Sequence, residues 1–143
     1  MSRILGIDYG EKRVGVAVSD EAAEFAFPLE VLVNDKNIFE KLKKICQEKE
    51  IKEIVLGLPL DFQGRPTHAT EGAEKFKIKL EQKLNLPVIF EDEVLTTKAA
   101  ERPFQKKRFD SQRVRKQKTL PKIDASAAAL ILKTYLQRKK DIQ

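Results

Sequence analysis

The sequence of 143 residues contains one cysteine, Cys46, and one histidine, His68. A single cysteine excludes a disulfide framework and any cysteine-rich zinc site. A single histidine excludes His-rich metal centres, and a His-dependent triad would have to run through His68. Long hydrophobic runs are missing too: the longest, Ala127 to Leu132, is far too short to cross a bilayer. The opening residues, Met-Ser-Arg-Ile-Leu-Gly-Ile-Asp, lack the apolar stretch and small-residue cleavage site of a signal peptide. Repeats and low-complexity tracts are also absent. This length is enough to bury a core without staples. The expectation is one cytoplasmic domain over residues 1–143, with no membrane role.

What the sequence has is charge, unevenly placed. It carries 28 Lys+Arg and 22 Asp+Glu, a formal net charge of +6. Residues 98–122 hold ten of the basic groups: Lys98, Arg102, Lys106, Lys107, Arg108, Arg113, Arg115, Lys116, Lys118 and Lys122. They hold only two acids, Glu101 and Asp110, so this segment is +8 and the other 118 residues are −2. Pro103, Pro121 and a shortage of large apolar residues make it a basic, mobile loop between packed elements rather than a core element. A loop of this kind is either a solvated charged segment or a clamp on a phosphate backbone, where each Lys or Arg releases condensed counterions. Aromatic residues here are few, Phe104 and Phe109, so base stacking is secondary.

Hydrophobic periodicity gives an order of elements. Arg3 to Asp8 reads as a buried strand. Arg13 to Ser19 reads as a second, with Val14, Val16 and Val18 on one face and Gly15 and Ala17 on the other. Tyr9-Gly10-Glu11-Lys12 joins the two as a hairpin. Phe25 to Val33 offers a third strand. Ile38, Leu42 and Ile45 with Phe39 and Cys46 have helical spacing, and Asn37 with Glu40 resembles a capping box. Lys52 to Leu58 is a fourth strand, Ala69 to Leu84 a helix, and Leu86 to Phe90 a fifth strand. Thr96 or Thr97 caps a short helix that Pro103 ends or kinks, and Asp124 to Gln137 is the last helix. Strands alternating with helices after the hairpin imply right-handed parallel crossovers. The expected fold is α/β: a mixed five-stranded sheet, antiparallel at the start and then parallel, flanked by helices.

In open α/β sheets, ligands gather at the carboxyl ends of parallel strands. Acids there need a reason, because a buried carboxylate is costly unless paired or metal-bound. Asp8 closes the first strand, where it either opens the hairpin turn or serves a site. Glu91-Asp92-Glu93 closes the fifth, with Glu91 and Glu93 on one side by strand alternation. Asp124 opens the last helix as a good N-cap, yet it also heads the helical row Ala127, Ala128, Ile131 and Tyr135, and the alanines let that helix lie close to the sheet. Three carboxylates of this kind suit hard divalent cations, Mg²⁺ or Mn²⁺. If the first and fifth strands lie two apart, their ends are about 10 Å apart, a gap that a two-ion site spans, and Gly57 of the intervening strand leaves it open. Such a site, with a basic grip beside it, fits phosphodiester hydrolysis. Glu91 ties with Glu93, and Asp61 is a reserve ligand.

Four blocks then carry a resemblance. Gly6-Ile-Asp-Tyr-Gly-Glu-Lys-Arg-Val-Gly-Val-Ala-Val-Ser-Asp20 closely resembles the opening of the YqgF/RuvX family. Val55-Leu-Gly-Leu-Pro-Leu60, Glu91-Asp-Glu-Val-Leu-Thr-Thr97 and Ile123-Asp-Ala-Ser-Ala-Ala-Ala-Leu-Ile-Leu132 resemble its other three blocks in the same order, so the likeness spans essentially the whole chain. It implies an RNase H-like fold similar to Holliday-junction resolvases and a metal-dependent nuclease linked to maturing the 5′ end of pre-16S rRNA. It places the family's acids on Asp8, Glu93 and Asp124. Similar proteins usually have Arg after that Glu. Here Val94 stands there, so any phosphate contact by the Arg is lost or passes to Arg13 or Arg102. Pro103 is a second departure, in the helix that follows.

Other residues carry less. Lys12 and Arg13 are placed to touch phosphate or to be a solvated turn. Gln63, Gly64 and Arg65 form a polar loop with Asp61 after the fourth strand. His68 is expected to be exposed at a helix start, and Cys46 to lie in the core. The expected partner is nucleic acid, an rRNA precursor or branched DNA, with a non-catalytic binding module of the same fold as the rival. An actin-like ATPase, whose first phosphate motif the opening block also resembles, is opposed by size, since those proteins close two such domains over nucleotide. The choice between RNA and DNA is not made by phosphate contacts, and the oligomeric state is not legible.

Overall fold

The computed structural model describes residues 2–59, 63–92 and 120–142, with backbone alone for 120–124 and 142. The described elements run β1 (Arg3–Asp8), β2 (Arg13–Ser19), β3 (Ala26–Val33), α1 (Ile38–Lys49), β4 (Ile51–Leu58), α2 (His68–Leu84), β5 (Val88–Asp92) and α3 (Leu120–Ile142). The strands form one sheet in the order β3-β2-β1-β4-β5. β1 pairs antiparallel with β2, and β2 with β3, while β4 lies parallel to both β1 and β5. This is the mixed five-stranded arrangement expected from the sequence, antiparallel at the start and then parallel, with β4 between the first and fifth strands.

Side-chain alternation divides the core in two. Leu5, Ile7, Val14, Val16, Ile54, Leu56 and Val88 face α1 and α2, where Leu42, Ile45, Phe76 and Leu80 cover them. Ile4, Ala17 and Val55 face α3 and meet Ala128, Ile131, Leu132 and Tyr135. The second layer is thinner. A Cβ on Gly6 would stand 2.8 Å from the Leu132 Cβ and 3.0 Å from the Ala128 carbonyl oxygen. Glycine in β1 and alanine in α3 together bring the helix down onto the strand.

The turns fit their residues. A Cβ on Gly10 would meet the Arg13 carbonyl oxygen at 2.5 Å, so the hairpin admits no side chain there. Asp20 Oδ1 accepts from the backbone N–H groups of Glu24 and Phe25 at 2.8 and 3.0 Å, closing the β2–β3 connection. Those bonds, Phe25 first, hold its carboxyl below the ordinary range. Pro28 lies within the edge strand β3 beside a register shift at Val16/Ala17, a position where its missing N–H breaks no central ladder.

Several expected boundaries move. β5 begins at Val88 rather than Leu86, because the αL residue Asn85 and Pro87 hold the connection, and it extends to Asp92. Asn37 makes no side-chain cap, so the capping box expected with Glu40 is absent; Asp35 Oδ1 instead accepts from the Asn37 N–H at 2.9 Å. α3 starts at Leu120, not at Asp124. Pro121 fits a first helical turn, where no partner is needed for its missing N–H, so residue 124 lies inside the helix and is not its N-cap. A capping box that the sequence reading passed over opens α2, between Thr67 and Thr70. The Thr70 hydroxyl also donates to the Pro59 carbonyl and ties α2 to the end of β4.

Candidate functional site

Asp8 is the last residue of β1 and is half-buried. It has the parity of Ile4 and Gly6, so it stands on the α3 face of the sheet. Its partner on β2 is Gly15. On β4 the register Ile7↔Leu56 continues to Gly57. Neither neighbouring strand therefore sets a side chain beside Asp8 on that face. Gly57 in turn pairs with Glu91 on β5, putting Glu91 two strands from Asp8, about 10 Å, at the same level.

Glu91 is occupied. It is buried, and the Arg138 guanidinium of α3 donates to its Oε1. A second acid on this face is satisfied in the same way: Glu53 accepts from the Tyr135 hydroxyl at 2.7 Å and from Lys139 at 3.4 Å. Burial, then the hydrogen bond to Glu53, pushes the Tyr135 phenol up to about 12. These partners explain both acids structurally. Sequence reading missed them because each pair joins a strand to the last helix across a long stretch of chain. The only local sign was the basic run at the end of α3.

α3 packs Ala128 and Leu132 over Gly6 and reaches Glu53, on the pair Ile4↔Glu53, through Tyr135. The helix thus descends away from Asp8 as it proceeds. Residue 124, one turn or about 6 Å before Ala128, lies on the Asp8 side of that contact.

The other candidates divide as follows. Arg13 is exposed at the start of β2, with the parity of Gly15 and hence on the face of Asp8. Gln63 and Arg65 are exposed, and Gly64 has a φ of +82°. His68 is exposed as the first residue of α2, and Cys46 is buried, with burial pushing its thiol up to about 12. Glu93, Val94, Asp61, Thr96, Thr97 and the basic residues Arg102, Lys106, Lys107, Arg108, Arg113, Arg115, Lys116 and Lys118 lie outside the described residues, as does the expected short helix. Among the described residues no three His, Cys, Asp or Glu side chains gather as a metal site, and no helix is long and apolar enough to cross a membrane.

A family model described as RuvX, Holliday junction resolvase, matches residues 2–138. The chain belongs to the RuvX family. A Sulfurihydrogenibium relative named "Putative pre-16S rRNA nuclease" is 38% identical over 140 residues, covering 96% of this chain and 92% of the relative. Relatives of the same name occur in Maridesulfovibrio salexigens, at 35% identity over 95% of this chain and 98% of theirs, and in Lactobacillus gasseri, at 36% over 94% and 95%. Among solved structures, T. thermophilus RuvC in complex with a Holliday junction substrate aligns with a TM-score of 0.45 and 14% identity, over 64% of this chain and 65% of that one. A ROK hexokinase from Thermus thermophilus aligns at 0.39 and 22%, over 64% and 35%. RuvX membership makes the chain an enzyme of the nuclease class, and it agrees with the four sequence blocks.

Proposed function

We propose that this RuvX-family chain hydrolyses phosphodiester bonds in structured nucleic acid, in maturation of the 5′ end of pre-16S rRNA, and that it acts in the cytoplasm as one domain. The carrying observation is Asp8 at the carboxyl end of β1, flanked on its own face by Gly15 and Gly57. The shared name of relatives matched over nearly their whole length supports the substrate.

In this reading Asp8, Glu93 and Asp124 hold divalent cations, two Mg²⁺ or Mn²⁺. The donor set fits: it is all carboxylate oxygen, which hard cations prefer. Bound there, the ions supply Lewis acidity to the scissile phosphate and a more acidic water. Glu91 is not part of the set, because Arg138 already neutralises it. The protein's own share is positioning. The glycines on both neighbouring strands set no side chain between Asp8 and a phosphate, Arg13 lies on the same face to meet it, and the basic residues of 98–122 hold the flanking backbone.

The test is cleavage of a pre-16S rRNA fragment and of a synthetic four-way junction, with Mg²⁺ or Mn²⁺, by the wild type and Asp8→Asn. The variant is expected to lose at least about a hundredfold in rate. Equal cleavage by both proteins removes Asp8 from the site. Cleavage of the junction alone moves the substrate to branched DNA, the activity in the family's description. Binding without turnover in either metal leaves a binding module.

A further inference from the structure

Outside residues 98–122 the chain is net acidic, yet the packing of α1 against α2 builds a basic groove. Lys75, Lys79 and Lys83 recur every four residues along α2, on one row with steps of about 6 Å. Lys36, just before α1, and Lys43 on α1 stand across from them. All five are exposed. Two cavities of about 340 and 280 Å³ lie between the helices and share Lys36 and Phe39. The acids lining them are Asp35 and Glu40, and Lys41 bridges Asp35 at 3.7 Å. The balance of the groove is therefore positive.

Its floor is aromatic. Phe76 packs under both Tyr9 and Phe39, with ring centroids 5.0 and 5.1 Å apart. Tyr9 and Phe39 remain half-buried, and the Lys83 ammonium sits 5.8 Å from the Phe39 ring centroid. Gly72 is what lets α2 close on Tyr9: a Cβ there would lie 3.0 Å from the Tyr9 hydroxyl. Rings flanked by a row of cations form the pattern that binds single strands, whose bases are free to stack while the backbone meets charge. A duplex would leave the rings unused.

The groove also begins at the candidate site. Tyr9 directly follows Asp8, and alternation turns it to the α1–α2 side of the same sheet end. We infer that the α1–α2 groove binds a single-stranded segment of the nucleic-acid substrate adjoining the scissile phosphate, its phosphates on Lys36, Lys75 and Lys79 and a base against Tyr9 and Phe39. This rests on the nuclease reading and adds to it a second grip, separate from residues 98–122 and on the opposite face from Asp8.

The test is fluorescence anisotropy with the full chain in chelator, which prevents cleavage, using a short labelled single-stranded RNA and a duplex of the same sequence over a salt series. Lys75→Glu/Lys79→Glu is expected to weaken single-strand binding at least about tenfold and to lower the salt slope by about 1.4, or about 0.7 per lost contact. Lys75→Arg/Lys79→Arg should retain binding. Phe39→Leu should weaken the single strand with the slope unchanged. The control, Lys52→Glu/Lys140→Glu, makes the same charge change at exposed residues around a cavity at the other end of the sheet. Unaltered single-strand binding by the groove variant, equal weakening by the control, or equal loss for the duplex overturns the groove assignment while the nuclease reading stands. A wild type that binds neither RNA overturns the RNA-substrate reading on which the groove assignment rests.

Discussion

The two faces of the sheet are built on different principles. The α1–α2 face is thick and apolar at the sheet, with Leu42, Ile45, Phe76 and Leu80 over the strands, and its charge lies outside. The α3 face is thin, held close by Gly6 and Ala128, and it carries charge within: Glu53 with Tyr135 and Lys139, Glu91 with Arg138. Glu53 and Glu91 are accommodated on the second face because a long helix there supplies a partner to each. Asp8 differs from Glu91 at the same sheet level by its neighbours: glycines on both sides rather than a guanidinium across from it. Glu91 is paired with the last helix, whereas Asp8 has glycine beside it on both neighbouring strands.

That contrast is sharpest in a cross of activity against stability. Asp8→Asn should remove cleavage, as above, while moving the urea-derived stability by less than about 1 kcal/mol. Arg138→Ala should do the reverse. It leaves the buried Glu91 carboxylate without its cation, at about 1–3 kcal/mol by urea titration, with the per-molecule cleavage rate kept. A large rate loss in Arg138→Ala, at full folding, would join Glu91 to the site and break the distinction.

A smaller effect is expected at the lower end of the same face. Tyr135→Phe removes the donor to Glu53 and should cost about 1–2 kcal/mol. Because the native phenol titrates at about 12, above its ordinary value near 10, its contribution is full below about pH 10 and is lost as pH rises toward 12. The gap in urea midpoint between wild type and Tyr135→Phe should therefore narrow between about pH 10 and 12. A constant gap would mean that the phenol is not held by burial. The smallest effect belongs to the other face. Cys46, buried with a thiol pushed up to about 12, should stay unlabelled by a maleimide in native protein at neutral pH and react fully in urea. Native labelling would show that α1 opens from the sheet.

Much of this was legible in the chain. The alternation of Val14, Val16 and Val18 with Gly15 and Ala17 fixed the faces of β2, and the strand that carries Gly57 does lie between those of Asp8 and Glu91. The position of Asp8 at the end of β1 followed from three apolar residues before it and a turn after it. The tie between Glu91 and Glu93 was not legible. Only a pairing 47 residues distant in the chain, with Arg138, shows Glu91 to be spoken for. Asp124 likewise read as a cap because the sequence gives no local reason to start α3 a turn earlier, whereas Pro121 accommodates that turn. The charge count erred in a different way. It found the basic run at 98–122, which is contiguous, and missed the lysines at 36, 43, 75, 79 and 83, which only the pairing of two helices brings together.

The sequence by itself determined the order of the described elements, the family and the place of Asp8 at a strand end, because periodicity, turn residues and short motifs are local along the chain. The tertiary structure decided which acids are satisfied, how closely α3 lies on β1, and where dispersed lysines become a surface. Those depend on contacts between residues far apart in sequence, whose energies arise only once the sheet and its helices have come together.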